Sequence, residues 1–126
     1  MHALALGTVG GPTKAPGVRT LSFFTVVRLG EAALVWAEGP LDATVAANLH
    51  EALYTVVAQR AAPIVIDLVQ VPSVNDSVVT ALAAAASQAA QQGRGLELRL
   101  SGGQGFTVTG SAQLRQVMAR AYPTAA

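Results

Sequence analysis

Side chains suited to chemistry are sparse in this chain, and one short stretch, Ser73-Val74-Asn75-Asp76-Ser77, gathers four of them. Asn, Asp and Ser are the types whose side-chain oxygens accept from the free N–H groups that open a helix. A hydroxyl at a helix start also stands near roughly +0.5 elementary charge of dipole, where an anion is stabilised. Two readings of Ser77 follow. Either Ser77, Asp76 or Asn75 simply caps the helix, or the Ser77 hydroxyl carries or meets a negative group. Nucleophilic catalysis is not a third. Asp67 and Asp76 are the acids nearest the turn, and neither has a His or Lys beside it to form a nucleophile and base pair.

With two histidines, no cysteine and seven acids, the chain has little from which to build a catalytic or metal centre. His50 falls near the polar side of a helix and reads as solvated, and His2 lies in the opening segment. Ser101-Gly102-Gly103-Gln104-Gly105 imitates a phosphate cradle, but it lacks the Gly-Lys-Ser/Thr ending and no helix opens directly after the glycines. No enzyme activity, cofactor or metal is expected.

The elements that must position the polar stretch are legible on either side of it. Before it, Ile64, Val65, Ile66 and Leu68 form a nearly continuous β-branched run broken only by Asp67, the pattern of a strand buried on both faces. After it, Val78 to Gln92 is built on alanine and holds no Pro or Gly until Gly93 closes it, which predicts a helix. Val78, Val79, Leu82, Ala85, Ala86 and Ala89 give that helix a face of mostly small residues, able to lie close to a sheet or to a partner.

Further out, Leu21 to Arg28 and Ala33 to Ala37 read as two strands joined at Gly30, an antiparallel hairpin. Phe23, Phe24 and Trp36 are expected in the core or covering the sheet; exposure of Phe24 or Trp36 would mark a docking surface. Val45, Leu49, Ala52, Leu53, Val56 and Val57 recur at helical spacing, with Asp42 placed as N-cap and Arg60 at the negative end of the dipole. Leu96 to Leu100 alternates, which predicts a strand with one wet face nearer a sheet edge. Phe106 to Thr109 is ambiguous. Ser111 is expected to cap a last helix with Leu114, Val117, Met118 and Ala121 buried, ended by Pro123. The order β-α-β-α-β predicts parallel pairing with right-handed crossovers.

At 126 residues one domain is expected. Half the residues are hydrophobic, yet no apolar run approaches the ~20 residues of a membrane span, so a soluble domain without membrane insertion is expected. The net charge is +1 and the basic residues are scattered, which argues against nucleic acid as a partner. The absence of cysteine excludes disulfides. Residues 1–20, rich in Gly and Pro, read as a flexible leader, leaving 21–126 as the domain.

An aliphatic strand ending in Asp67-Leu68, a polar turn, a helix with Ser77 at its start, then Gly93-x-Gly95 and another strand resembles the STAS domain family, and within it the anti-sigma factor antagonists. Ala32 to Asp42 resembles the family's second strand and its Gly-Glu-Leu-Asp turn, with Gly39, Leu41 and Asp42 in place and Pro40 where the acid stands. Ser111 to Ala121 resembles the closing helix, and the likeness runs over about residues 20 to 122. The family's helix start reads Asp-Ser-Ser-Gly with the second Ser phosphorylated. Here the four positions are Asn75, Asp76, Ser77 and Val78, and only the Ser is kept.

The resemblance implies an α/β fold: a STAS-like mixed β-sheet with a parallel β-α-β-α-β core, helices packed on it and an N-terminal β-hairpin. It implies a cytoplasmic bacterial regulator that docks an anti-sigma factor, often itself a Ser/Thr kinase, through Asn75, Asp76, Ser77, Val78 and Asp42. Phosphorylation of Ser77 would abolish docking. A homodimer is left open. Two alternatives stand beside this reading. One is an accessory STAS subunit of a transporter or signalling assembly that is never phosphorylated. The other is a small-ligand or anion sensor, which predicts a concave site beside Ser73 to Ser77, where docking predicts a flat or convex surface.

Overall fold

The structure, a computed structural model, describes residues 23–123. The expected leader, residues 1–20, and the start of the first expected strand lie outside the described residues.

Strands β1 (Phe23–Leu29) and β2 (Ala32–Glu38) form the expected antiparallel hairpin, with Phe24 opposite Ala37 and Val26 opposite Val35. Helix α1 (Ala43–Ala58) returns the chain to β3 (Ile64–Gln70), and α2 (Asp76–Gln91) returns it to β4 (Leu96–Arg99). Both crossovers join parallel neighbours. A short turn leads into β5 (Gly105–Val108), which runs antiparallel to β4, and α3 (Ser111–Ala121) follows. The five strands stand in the sheet in the order in which they occur in the chain.

Two right-handed crossovers stepping the same way across a sheet put their helices on the same face. The burial pattern agrees. Phe24, Val26, Ala33, Val35, Ile64, Ile66, Leu96, Leu98 and Val108 share one face through the strand register and are fully buried. The opposite face carries Phe23, Trp36, Val65 and Asp67, half-buried, and Glu97, Arg99 and Thr107, exposed. The aromatic trio is therefore divided: Phe24 lies in the core, while the rings of Phe23 and Trp36 meet edge to face on the other side, centroids 5.6 Å apart.

Helix α2 lies between α1 and α3. Its small residues make this possible: Ala81, Ala83, Ala85, Ala86 and Ala89 are all buried, so both neighbouring helices approach its backbone closely. The six apolar positions expected to line α1 are all buried. Gly93 ends α2 in the left-handed region at φ +73°, as the sequence predicts. Gly95 is required for a different reason. A Cβ there would stand 2.8 Å from the carbonyl oxygen of Val108 in β5.

β4 has the expected wet face and lies next to the sheet edge, which is formed by β5, read from sequence as ambiguous. Two local expectations need correction. Ser111 does not cap α3: Gly110 holds that position without a side-chain bond, while Thr109 N donates to Gln113 Oε1 at 2.9 Å. Arg60 stands beyond the C-cap Gln59 with φ 60°. Two cations tie down this end of α1: Arg28, donating to Gln59 Oε1, and Arg94, donating to the Arg60 and Ala61 carbonyls at 2.6 and 2.9 Å.

Candidate functional site

The polar turn before α2 is held by backbone on one side and, on the other, by the side chain of Tyr122, the C-cap of α3. Leu41 and Val74 form an isolated parallel bridge, in which Leu41 N donates to Ser73 O at 2.9 Å and Asn75 N donates to Leu41 O at 2.8 Å. Both residues are buried, so the starts of α1 and α2 are fixed side by side at one pole of the molecule. From the far side, Tyr122 Oη donates to Val71 O at 2.9 Å. Burial pushes the Tyr122 hydroxyl above the ordinary tyrosine pKa.

Asn75, in extended conformation, is the N-cap of α2. Its Oδ1 accepts from Ser77 N at 2.8 Å and from Ser77 Oγ at 2.6 Å, and its carbonyl accepts from Val78 N at 2.9 Å. Ser77 is therefore not the cap but a residue held by it. With Ser77 N and Val78 N already committed, the helix start keeps little of the donor set that would bind an anion.

Of the residues singled out from sequence, Asn75, Asp76, Ser77 and Asp42 are all exposed and lie at this one pole. Val78 does not join them: it is fully buried in the core, because the third helical position turns inward onto the sheet, and so it has no surface to offer a partner. Asp67 is elsewhere too. It lies on the bare face of β3, where its Oδ1 accepts from Val69 N at 3.0 Å. Among the described residues no group of three or more His, Cys, Asp or Glu side chains is placed to hold a metal ion, and no helix is long and apolar enough to cross a membrane.

Beside the pole lies an open cleft of about 300 Å³ between α2 and α3, lined by Asp76, Val79, Arg115, Met118, Tyr122 and Pro123. Asp76 is the one residue of Ser73 to Ser77 that lines it; Ser77 is exposed but does not line it. Arg115 and Tyr122 escape sequence reasoning. Nothing in a sequence links Tyr122 to a carbonyl in a strand end so far upstream, and an arginine on an exposed helix face has no local signature.

The fold and its order of motifs define the class. The Mlab, STAS domain family matches residues 24–121, and the chain belongs to the STAS domain family. Among the solved structures similar to it is an anti-sigma factor antagonist from Mycobacterium paratuberculosis, 21% identical, with a TM-score of 0.53 over 79% of this chain and 81% of that one. No curated protein matches the chain.

Proposed function

We infer that this chain is a non-enzymatic regulatory module that docks an anti-sigma factor, itself a Ser/Thr kinase, through the pole formed by Asp42, Asn75, Asp76 and Ser77. The observation that carries this reading is the Ser77 hydroxyl, exposed on a firmly held helix start and, among the described residues, bonded only within its own turn. In the switched form a kinase moves the γ-phosphoryl of ATP to Ser77 Oγ; ADP leaves and the hydroxyl proton is lost. Phosphate adds about −1.5 to −2 charge in the middle of the contact surface. The Oγ donor to Asn75 is lost, but the bond from Ser77 N does not depend on it, and the helix dipole tolerates the charge. The fold persists while the interface fails.

A second reading is supported by the acid next to Ser77. Asp76 adds a negative charge where a phosphate would sit, which favours an accessory STAS subunit that docks through the same pole and is never phosphorylated. A pull-down from native extract with wild-type protein and with Ser77→Ala, Ser77→Glu and Thr44→Glu variants separates the two, together with the intact mass of the endogenous protein. The switch predicts an anti-sigma factor kinase retained by all except Ser77→Glu, and a phosphate on Ser77. Recovery of one transporter or scaffold by all four, without phosphate, would replace it with the accessory reading.

A further inference from the structure

The face of α3 turned away from the cleft carries a second surface, made together with the outer edge of β5. Among the described residues β5 pairs with β4 alone. Leu100 N donates to Gln104 O at 2.8 Å, and this fixes the phase of the antiparallel ladder. Gln104, Phe106 and Val108 direct their backbone groups to β4, and Gly105 and Thr107 turn theirs outward. The next outward N–H, that of Thr109, is taken by Gln113 Oε1.

Natural sheets blunt such an edge with charged residues, proline or a bulge. β5, Gly-Phe-Thr-Val, is blunted by its shortness, a further such device, but has none of these. Alongside it runs a groove of about 270 Å³ lined by Leu100, Gln104, Phe106, Val117, Arg120 and Ala121. Phe106, on the helix side of the sheet, is still 38% exposed, because no described residue beyond the edge covers it. The groove mixes apolar side chains with Gln104 and one charged group, Arg120, and α3 carries Arg115 and Arg120 without any acid. A second copy of this surface would bring arginine against arginine, so the charge favours an acidic occupant.

We propose that the outer edge of β5 takes up an extended acidic segment of a partner protein as a sixth strand. Its backbone pairs with Gly105 and Thr107, an apolar side chain fills the groove against Phe106 and Val117, and a carboxylate meets Arg120. This surface is distinct from the Ser77 pole and does not depend on what docks there.

The test is a titration of the full-length, isotope-labelled chain with an acetylated, amidated Glu-Val-Glu-Val-Glu peptide to millimolar concentration, with Lys-Val-Lys-Val-Lys as counterpart. The acidic peptide should shift the Gly105 and Thr107 amide resonances and slow their hydrogen exchange, and the basic one should not. Arg120→Glu, at an exposed position, should weaken binding by about tenfold or more. Thr107→Pro, which removes only an outward N–H, should do the same without unfolding the sheet. Ser77→Glu should leave the titration unchanged. Absence of binding at millimolar peptide, or binding that survives both edge substitutions, overturns the proposal. Concentration-dependent dimers with Gly105 and Thr107 protected in the free protein would overturn it in favour of pairing between copies.

Discussion

At the start of α1, Asp42 Oδ1 accepts from Thr44 N at 3.0 Å and from Thr44 Oγ1 at 2.6 Å; at the start of α2, Asn75 Oδ1 does the same for Ser77 N and Oγ at 2.8 and 2.6 Å. The two devices match bond for bond, and the bridge between Leu41 and Val74 sets them next to each other. They differ in where the negative charge lies. In α1 the acid is the cap, and its carboxylate oxygen is occupied by its own turn. In α2 a neutral amide does the capping, and the acid one residue later, Asp76, faces the cleft that Arg115 also lines. Delegating the cap to an amide releases the carboxylate of Asp76 to the cleft, whereas the carboxylate of Asp42 is tied into its own turn.

Removing the shared support should have the largest effect. Leu41→Ala empties a fully buried position at the bridge and should cost about 2–5 kcal/mol in urea or thermal unfolding, disturbing both helix starts together. An unchanged unfolding midpoint would mean that the pole is not held by this bridge. Removing the caps one at a time should separate the two starts. Asp42→Ala should cost about 1–2 kcal/mol, because a charged acceptor is lost beside the dipole, and Asn75→Ala about 1 kcal/mol or less. The reverse ranking would show that the amide, not the acid, is the stronger anchor.

The smallest effect concerns a support that α2 has and α1 lacks. Tyr122→Phe removes the donor to Val71 O and should cost about 1 kcal/mol. Because burial raises the folded pKa of Tyr122, its contribution is fully present below the unfolded tyrosine pKa of about 10 and is lost as pH rises through the folded value. Wild-type stability should therefore fall in that alkaline range more steeply than that of Tyr122→Phe. Parallel pH curves would exclude Tyr122 as the cause.

Much of the fold was readable because its signals are local and repeated. The α1 stripe recurs at helical spacing over four turns, and the α2 alanines leave no other element open. β5 was not readable: four residues beside a glycine-rich turn carry too short a pattern, and without β5 the alternation of Leu96 to Leu100 resembles an edge. Ser77 was legible by residue type and by its place after the strand. The division of labour around it was not, because three neighbouring residues were all competent caps and geometry alone selects Asn75. Val78 is the instructive failure. A motif position suggested a contact residue, whereas the helical phase turns it into the core.

Because sheet order and chain order coincide, every strand after the first completes its pairing with one made before it. During synthesis no emerging strand has to wait for a later one to be inserted beside it, and the hairpin offers a template as soon as it leaves the ribosome. The parallel crossovers, which are usually slow to close, here span one helix each, so loop-closure entropy is met in short instalments along the chain. The growing edge moves steadily away from the hairpin, and β5 is where that addition stops.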